Sequence, residues 1–219
     1  MNHLKTSLFA LAVAFVTVLG HAQEVKGDAI AGQKKNAMCI GCHGLPGYQS
    51  SFPEIYKVPK ISGQSAKYIV SSLNAYKEGE RKHPTMRAIA ESMSEQDMAD
   101  VAAFYEAHGK SVAVASGGAS APSPKVAELI KKAACLSCHG ENFAKPIDAA
   151  YPKVAGQHAD YLFVALKSYK IEGNPKVGRS NGIMAGVTKP LSNADLKSLA
   201  TYIASLKGEL KTIPEDRFR

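Results

Sequence analysis

The segment Cys39-Ile40-Gly41-Cys42-His43-Gly44 decides how this sequence folds, and it returns 96 residues later as Cys135-Leu136-Ser137-Cys138-His139-Gly140. These two motifs contain all four cysteines of the 219-residue chain. Two cysteines at this spacing on a helical turn can each add across one vinyl group of a haem, and the histidine that follows can then face the iron. The motifs therefore predict two covalently bound haem c groups, held by Cys39, Cys42 and His43 and by Cys135, Cys138 and His139.

A Cys-x-x-Cys pair also occurs in thiol oxidoreductases, and two such pairs can share one zinc ion. A thiol oxidoreductase has no need of a histidine after both pairs. A shared zinc site gives no reason for two complete repeats. Haem attachment is therefore the favoured interpretation.

The rest of the chain also forms an internal repeat of two copies. Pro59–Gln64 returns at an offset of 93 as Pro152–Gln157, and Ser94–Asp97 returns at an offset of 98 as Ser192–Asp195. Between the copies, residues 110–124 are rich in Ser, Ala, Gly, Val and Pro, a composition typical of linkers. The repeat predicts two domains of the same fold. We place them at residues 23–109 and 125–219, with a linker over 110–124.

Each copy contains three helical patterns, and none of its segments alternates with the period of a strand. The first pattern leads into the cysteine motif. The second spans Ser65 to Lys77 in one copy and Ala159 to Ile171 in the other. The third opens at Ser94 or Ser192 with an aspartate three residues later, which is the Asp variant of a capping box. The sequence therefore predicts an all-α fold.

Residues 1–22 have the pattern of a secretory signal peptide. An apolar run from Leu8 to Leu19 is followed by Gly20-His21-Ala22, and we expect cleavage after Ala22 and export to the periplasm. The run has 12 residues, whereas a membrane-spanning helix needs about 20. A membrane anchor is therefore the less favoured alternative.

The chain carries a net charge of +8, and the excess lies in its second half. Residues 23–109 hold 10 basic and 10 acidic side chains, and residues 110–219 hold 16 and 9. This distribution predicts acidic protein partners or peripheral association with an anionic membrane surface. We expect no nucleic-acid partner, because the chain is exported and its lysines are scattered rather than grouped with aromatic residues.

A sixth iron ligand is predicted at Met86 and Met184. Met86 lies 43 residues after His43, and Met184 lies 45 residues after His139. A thioether is a soft ligand that suits ferrous iron and raises the reduction potential relative to a second histidine.

Two rival ligands near Met86 lack a counterpart in the second copy. Met93 corresponds to Leu191, which cannot bind iron, and His83 corresponds to Asn181. We therefore interpret His83 as a surface residue or as a residue behind the ligands. Core packing is the expected role of Met38, Met93 and Met98.

Other residues have two open interpretations. Pro59 and Pro152 either supply the carbonyl oxygen that orients each histidine ring or simply end a loop. Four further side chains either bind haem propionates or belong to packing and polar surface: Tyr68, Tyr161, Gln64 and Gln157.

These residues together resemble the cytochrome c4 family over essentially the whole mature chain. The resemblance rests on the paired Cys-x-x-Cys-His-Gly motifs, the Pro-Lys-x-x-Gly-Gln segments, the Tyr-Lys-x-Gly and Tyr-Lys-x-Glu-Gly stretches, and the methionine upstream of each Leu/Met-Ser-x-x-Asp. It implies two tandem class I cytochrome c domains related by pseudo-twofold symmetry, with His–Met iron and haem propionates meeting at the domain interface. It also implies electron delivery from a quinol-oxidising cytochrome bc complex to a haem-copper terminal oxidase. The sequence departs from the family in its longer linker and its basic second half.

The leading functional hypothesis is a carrier of single electrons with no open iron position for a substrate. The alternative is the dihaem subunit of a flavin-containing sulfide dehydrogenase or a similar oxidoreductase complex. A third hypothesis is an enzyme, such as a dihaem peroxidase or a thiosulfate dehydrogenase. That would need an iron without methionine and a pocket with acid or base groups, and the sequence offers neither.

Overall fold

The computed structural model describes residues 25–111 and 121–214. The predicted signal peptide and most of the predicted linker lie outside these residues. Within the described ranges, no helix has the length and apolar character needed to cross a membrane.

The described chain folds into two helical domains, which confirms the all-α prediction. The first contains α1 (Ala29–Lys35), α2 (Ala37–His43), β1 (Gln49–Ser50), β2 (Tyr56–Lys57), α3 (Ala66–Lys77), β3 (Arg81–Lys82), α4 (Pro84–Glu91), α5 (Glu95–His108) and a 3₁₀ turn (Gly109–Ser111). The second contains α6 (Pro124–Lys132), α7 (Leu136–His139), α8 (Ala159–Ser168), β4 (Gly178–Arg179), α9 (Gly182–Thr188) and α10 (Asn193–Ser205).

The predicted capping boxes are present at both long C-terminal helices. The Ser94 hydroxyl accepts from the Asp97 backbone N–H at 3.1 Å, and the Asp97 carboxylate accepts from the Ser94 N–H at 3.1 Å. Ser192 and Asp195 make the same pair of bonds. Each box satisfies backbone donors that the first turn of a helix leaves unpaired.

Two short helices, α4 and α9, were not predicted. Each starts at a capping side chain: His83 Nδ1 accepts from the Met86 N–H at 3.4 Å, and Asn181 Oδ1 accepts from the Met184 N–H at 3.0 Å. Pro84 also favours the start of α4, because its fixed φ suits the first helical position. The caps compensate for the short length of these helices.

The methionines divide between core and surface. Met93 and Met98 are buried in the core of the first domain, as predicted. The prediction for Met38 is wrong, because its side chain is 54% exposed. The buried side of α2 is defined by Ile40, and residues two apart on a helix point in different directions.

Helix α1 lies directly on α5 because glycines face it. A Cβ atom added at Gly32 would lie 2.0 Å from the Asp100 carbonyl oxygen, and one at Gly27 would lie 2.1 Å from that of Ala99. Glu128 is the counterpart of Gly32 by the 96-residue offset of the cysteine motifs. Glu128 is exposed, and α6 packs on the core of the second domain through Val126 and Leu129 instead.

Replacing Gly32 with alanine is expected to lower the free energy of unfolding by about 2–3 kcal/mol, because α1 and α5 must separate. Gly186→Ala is the matched control: a Cβ there meets nothing within 4 Å, and alanine suits a helix better than glycine by about 0.5–1 kcal/mol. Guanidinium denaturation of the holoprotein measures both. Equal stability of the two variants would contradict the close packing of α1 on α5.

Two glutamines join the domains in a reciprocal pattern. Gln64 accepts from the Lys153 backbone N–H at 3.0 Å and donates to its carbonyl at 2.9 Å. Gln157 accepts from the Lys60 N–H at 3.0 Å and donates to its carbonyl at 2.9 Å. Because these are equivalent residues of the two copies, the interface has the pseudo-twofold symmetry that the resemblance implied.

Backbone pairing also crosses the interface. Strands β3 and β4 pair antiparallel, with Arg81 opposite Arg179. The hairpin β1–β2 reaches over to α8, where the Lys57 N–H donates to the Asp160 carboxylate at 3.1 Å. Strands of two residues are too short to leave an alternating pattern, so the sequence did not predict them.

Candidate functional site

Each predicted proximal histidine ends a short helix and contacts a proline carbonyl. His43 Nδ1 lies 2.8 Å from the Pro59 oxygen, and His139 Nδ1 lies 3.0 Å from the Pro152 oxygen. Since a carbonyl only accepts, Nδ1 carries the proton and Nε2 keeps its lone pair free. The carbonyl interpretation of the two prolines is confirmed.

The protonation states suit iron ligation rather than thiol chemistry. Burial lowers the pKa of the His43 and His139 imidazoles, which favours the neutral ring that binds a metal. Burial raises the pKa of the Cys39 thiol to about 11 and also raises that of Cys135. A thiol oxidoreductase needs the opposite shift at its attacking cysteine.

The zinc alternative also lacks support from the geometry. The two cysteine pairs lie in different domains, and all four cysteines are free of disulfides. Among residues 25–111 and 121–214, His, Cys, Asp and Glu side chains form no group of three or more that could hold a metal ion. One shared tetrahedral site would need four such ligands.

The two predicted axial methionines occupy equivalent positions, each as the third residue of its helix. Met86 lies on α4 and, like Cys39, packs against the core of the first domain. Met184 lies on α9 and is half-buried. Because their backbone N–H groups bond to the capping residues, both thioether side chains start from a fixed backbone.

A cavity of about 800 Å³ brings the site residues of the second domain together. Its walls include all four of them: Cys135, Cys138, His139 and Met184. Leu162, Leu166 and Ile203 add apolar surface. A volume of this size, apolar with a few polar groups, suits a large flat cofactor.

Two arginines that sequence reasoning missed line the same cavity. Arg81 donates to the Tyr68 hydroxyl at 3.4 Å and, across the interface, to the Tyr161 hydroxyl at 3.3 Å. Arg179 donates to the Tyr161 hydroxyl at 3.1 Å. The register of the repeat could have identified them, since Arg179 lies 98 residues after Arg81.

The arginine pair has no anion beside it. Neither guanidinium forms an ion pair within the described residues, and Arg81 Nε is buried without a hydrogen-bond partner. Burial would raise the pKa of Tyr161, but the charges of Arg179 and Arg81 lower it to about 8. Shielded cations without a counter-charge are costly. Haem propionates would supply that charge, so these residues fit the cofactor that the motifs predict.

Gln64 and Gln157 bind backbone groups across the domain interface. Tyr68 and Tyr161 accept hydrogen bonds from the arginines. His83 caps α4, as expected for a residue behind the ligands rather than a ligand.

The sequence pattern of the cytochrome c family matches residues 25–107 and 124–207. Cytochrome c4 of Pseudomonas aeruginosa is 34% identical over 212 residues, covering 94% of this chain and 100% of the relative. The reduced recombinant cytochrome c4 of Pseudomonas stutzeri superposes with a TM-score of 0.60 at 30% identity, covering 82% of this chain and 99% of that one. This chain therefore belongs to the cytochrome c family, in its dihaem cytochrome c4 group, whose members hold two covalently bound haem c groups.

Proposed function

We propose that this protein carries single electrons in the periplasm from a quinol-oxidising cytochrome bc complex to a haem-copper terminal oxidase. One observation supports the proposal: each domain holds a histidine against a proline carbonyl and a methionine on a capped helix, so both domains offer the same pair of candidate iron ligands. Two irons that would each be held by a histidine and a methionine suit electron transfer rather than substrate turnover.

We assign Cys39, Cys42, His43 and Met86 to the first haem. The second haem takes the equivalent set in the second domain: Cys135, Cys138, His139 and Met184. When bound, the haem supplies a reversible one-electron change at iron. The chain's own groups fix the imidazole tautomer through Pro59 and Pro152 and exclude a substrate from the iron.

We assign Arg81 and Arg179 to the propionates of the two haems at the domain interface. Support comes from their guanidinium groups, which form no ion pair with any residue that the structure describes, and from the hydrogen bond of Arg81 to Tyr161 of the second domain. A fixed positive charge beside a haem favours the ferrous state, which carries one positive charge fewer.

Replacing Arg81 with leucine is expected to lower at least one midpoint potential by on the order of 50 mV, because a nearby cation is lost. Arg87→Leu is the matched control, since Arg87 is exposed on α4 and pairs with Glu91 at 2.7 Å. Potentiometric titration followed by visible absorption measures both. An equal shift in the control would show that overall charge, not the arginine pair, sets the potential.

The decisive experiment uses the purified holoprotein. We expect a haem-to-chain ratio of two, a sulfur-to-iron charge-transfer band in the near infrared, and rapid oxidation by a purified haem-copper oxidase. A colourless protein would reject the whole assignment. A haem protein that the oxidase does not oxidise would reject the oxidase as acceptor.

A second candidate partner is thiosulfate dehydrogenase. A Stutzerimonas stutzeri protein described as a thiosulfate dehydrogenase electron acceptor is 28% identical over 205 residues, covering 89% of this chain and 92% of that protein. Reduction of this chain by purified thiosulfate dehydrogenase and thiosulfate, faster than by the bc complex and quinol, would favour that role.

We further propose export with cleavage after Ala22 and domains at 23–109 and 125–219 joined by a linker at 110–124. The export pattern of residues 1–22 supports the first point, and the internal repeat supports the second. N-terminal sequencing of the protein from a periplasmic fraction is expected to begin at Gln23. A retained leader would contradict cleavage.

A further inference from the structure

A surface groove of about 410 Å³ lies in the second domain, behind the segment that carries Cys135 and Cys138. Ala127, Ile130 and Lys131 of α6 form one wall. Leu136, Phe143 and Tyr202 are among the residues that complete it. Apart from Lys131 its lining carries no charge, so the groove is apolar with one basic edge.

The equivalent helices of the two domains pack differently. In the first domain Gly32 lets α1 lie on α5 with no gap for a side chain. In the second domain the equivalent residue, Glu128, is exposed, and α6 packs with α10 through Val126 and Leu129. The groove lies beside this contact and is lined by residues of α6, residues of α7 and Tyr202.

The backbone around the groove is strained. Ala134, Asn142 and Phe143 have φ values of 48°, 54° and 59°, in the left-handed region that disfavours side chains. Within residues 25–111 and 121–214 they are the only residues other than glycine with positive φ, and all three line the groove. Strain of this kind concentrates at functional sites, where the surrounding structure enforces it.

The basic edge of the groove is uncompensated. Lys131 and Lys132 are exposed at the end of α6, and neither forms an ion pair with any described residue. In the first domain the equivalent Lys35 pairs with Asp97 and Asp100, both at 2.7 Å.

The acidic partners of Lys35 have no equivalent role in the second domain. Asp195, the counterpart of Asp97, pairs with Lys125 at 2.8 Å. The counterpart of Asp100 is Ser198, which carries no charge. The second domain therefore presents, beside an apolar groove, positive charge without an ion-pair partner among the described residues. In the first domain the equivalent charge, on Lys35, is neutralised by two aspartates.

We propose that this groove docks an acidic redox protein, which inserts an apolar side chain between α6 and the 141–144 loop and places carboxylates against Lys131 and Lys132. An apolar centre with a charged rim is the usual anatomy of a protein interface, and complementary charge accelerates association. Since Ala134 and Leu136 flank Cys135, the docked partner lies next to the second haem attachment. The inference rests on the proposed electron-carrier function and makes the second haem the exit for electrons.

The test measures kcat/KM for oxidation of the reduced holoprotein by a purified haem-copper oxidase at several ionic strengths. Lys131→Glu is expected to lower kcat/KM about 10-fold at low ionic strength and to make kcat/KM depend less on ionic strength. Ala127→Trp fills the groove without a charge change and is expected to lower it about 10-fold at every ionic strength. The matched control is Lys34→Glu, an exposed lysine in the last turn of α1, expected to stay within about twofold.

An unchanged visible spectrum and an unchanged haem-to-chain ratio establish that each variant is folded. If Ala127→Trp does not fold, Lys131→Glu alone tests the inference. The inference is overturned if the groove variants keep the wild-type kcat/KM, or if Lys34→Glu lowers kcat/KM as much as Lys131→Glu does. The carrier function stands in either case. If thiosulfate dehydrogenase reduces the wild type and the oxidase does not oxidise it, the same variants are compared in that reduction; an effect there supports the docking site and overturns the exit role of the second haem. A wild type that reacts with neither enzyme rejects the carrier function and the docking site together.

Discussion

In a Met184→His variant, one midpoint potential is expected to fall by on the order of 0.2–0.3 V, a fraction of the roughly 0.8 V that axial ligands span. Imidazole stabilises ferric iron better than a thioether does. The substitution keeps the N-cap of α9, because Asn181 binds the backbone N–H of residue 184 rather than its side chain. Potentiometric titration of the holoprotein measures the shift, and about half of the near-infrared sulfur-to-iron band should disappear with it.

The matched control is Met93→Leu. Met93 is buried, and Leu191 fills the equivalent position of the second domain. Both potentials and the full band should persist, and the free energy of unfolding should change by less than about 1.5 kcal/mol. Loss of the band in this control would indicate that Met93 binds iron. Unchanged potentials in Met184→His would contradict the assignment of Met184 as an iron ligand.

Features that depend on a few consecutive residues could be predicted from the sequence. The cysteine motifs define two cofactor sites, and the serine–aspartate pairs define where α5 and α10 begin. The repeat helped further, because a candidate that lacks its counterpart, such as Met93 or His83, could be set aside. The proline carbonyls were foreseen as one of two alternatives because an imidazole ligand needs an acceptor for its second nitrogen.

Features that depend on how the domains dock could not be predicted. The repeat register identifies Arg81 and Arg179 as equivalent residues. Only the pairing of β3 with β4 shows that they lie opposite each other at the domain interface. The groove of the second domain also depends on packing, here of α6, α7 and Tyr202 within one domain. The prediction that Met38 packs in the core is wrong because α2 is too short for the sequence periodicity to define its buried side.

Removing both interface glutamines is expected to divide unfolding of the holoprotein into two transitions. Gln64 and Gln157 are each 5% exposed, and together they satisfy four backbone groups across the interface. A buried polar group left unpaired costs about 1–3 kcal/mol. Gln64→Ala alone should therefore destabilise the chain by about 2 kcal/mol while Gln157 still holds the other half of the interface. In the double variant, the domains are expected to separate before they unfold, since water then binds the backbone groups of Lys60 and Lys153 that the glutamines no longer pair.

Calorimetry of the singles, the double variant and a Gln96→Ala control distinguishes docking from general stability. Gln96 bonds to Lys26 and Asp100 within the first domain, so its loss should shift one transition without splitting it. Faster proteolysis within residues 110–124 should accompany the split in the double variant, because separated domains no longer hold the chain ends together. A double variant that still unfolds in one transition would show that the β3–β4 pairing and the β1–β2 hairpin hold the domains without the glutamines.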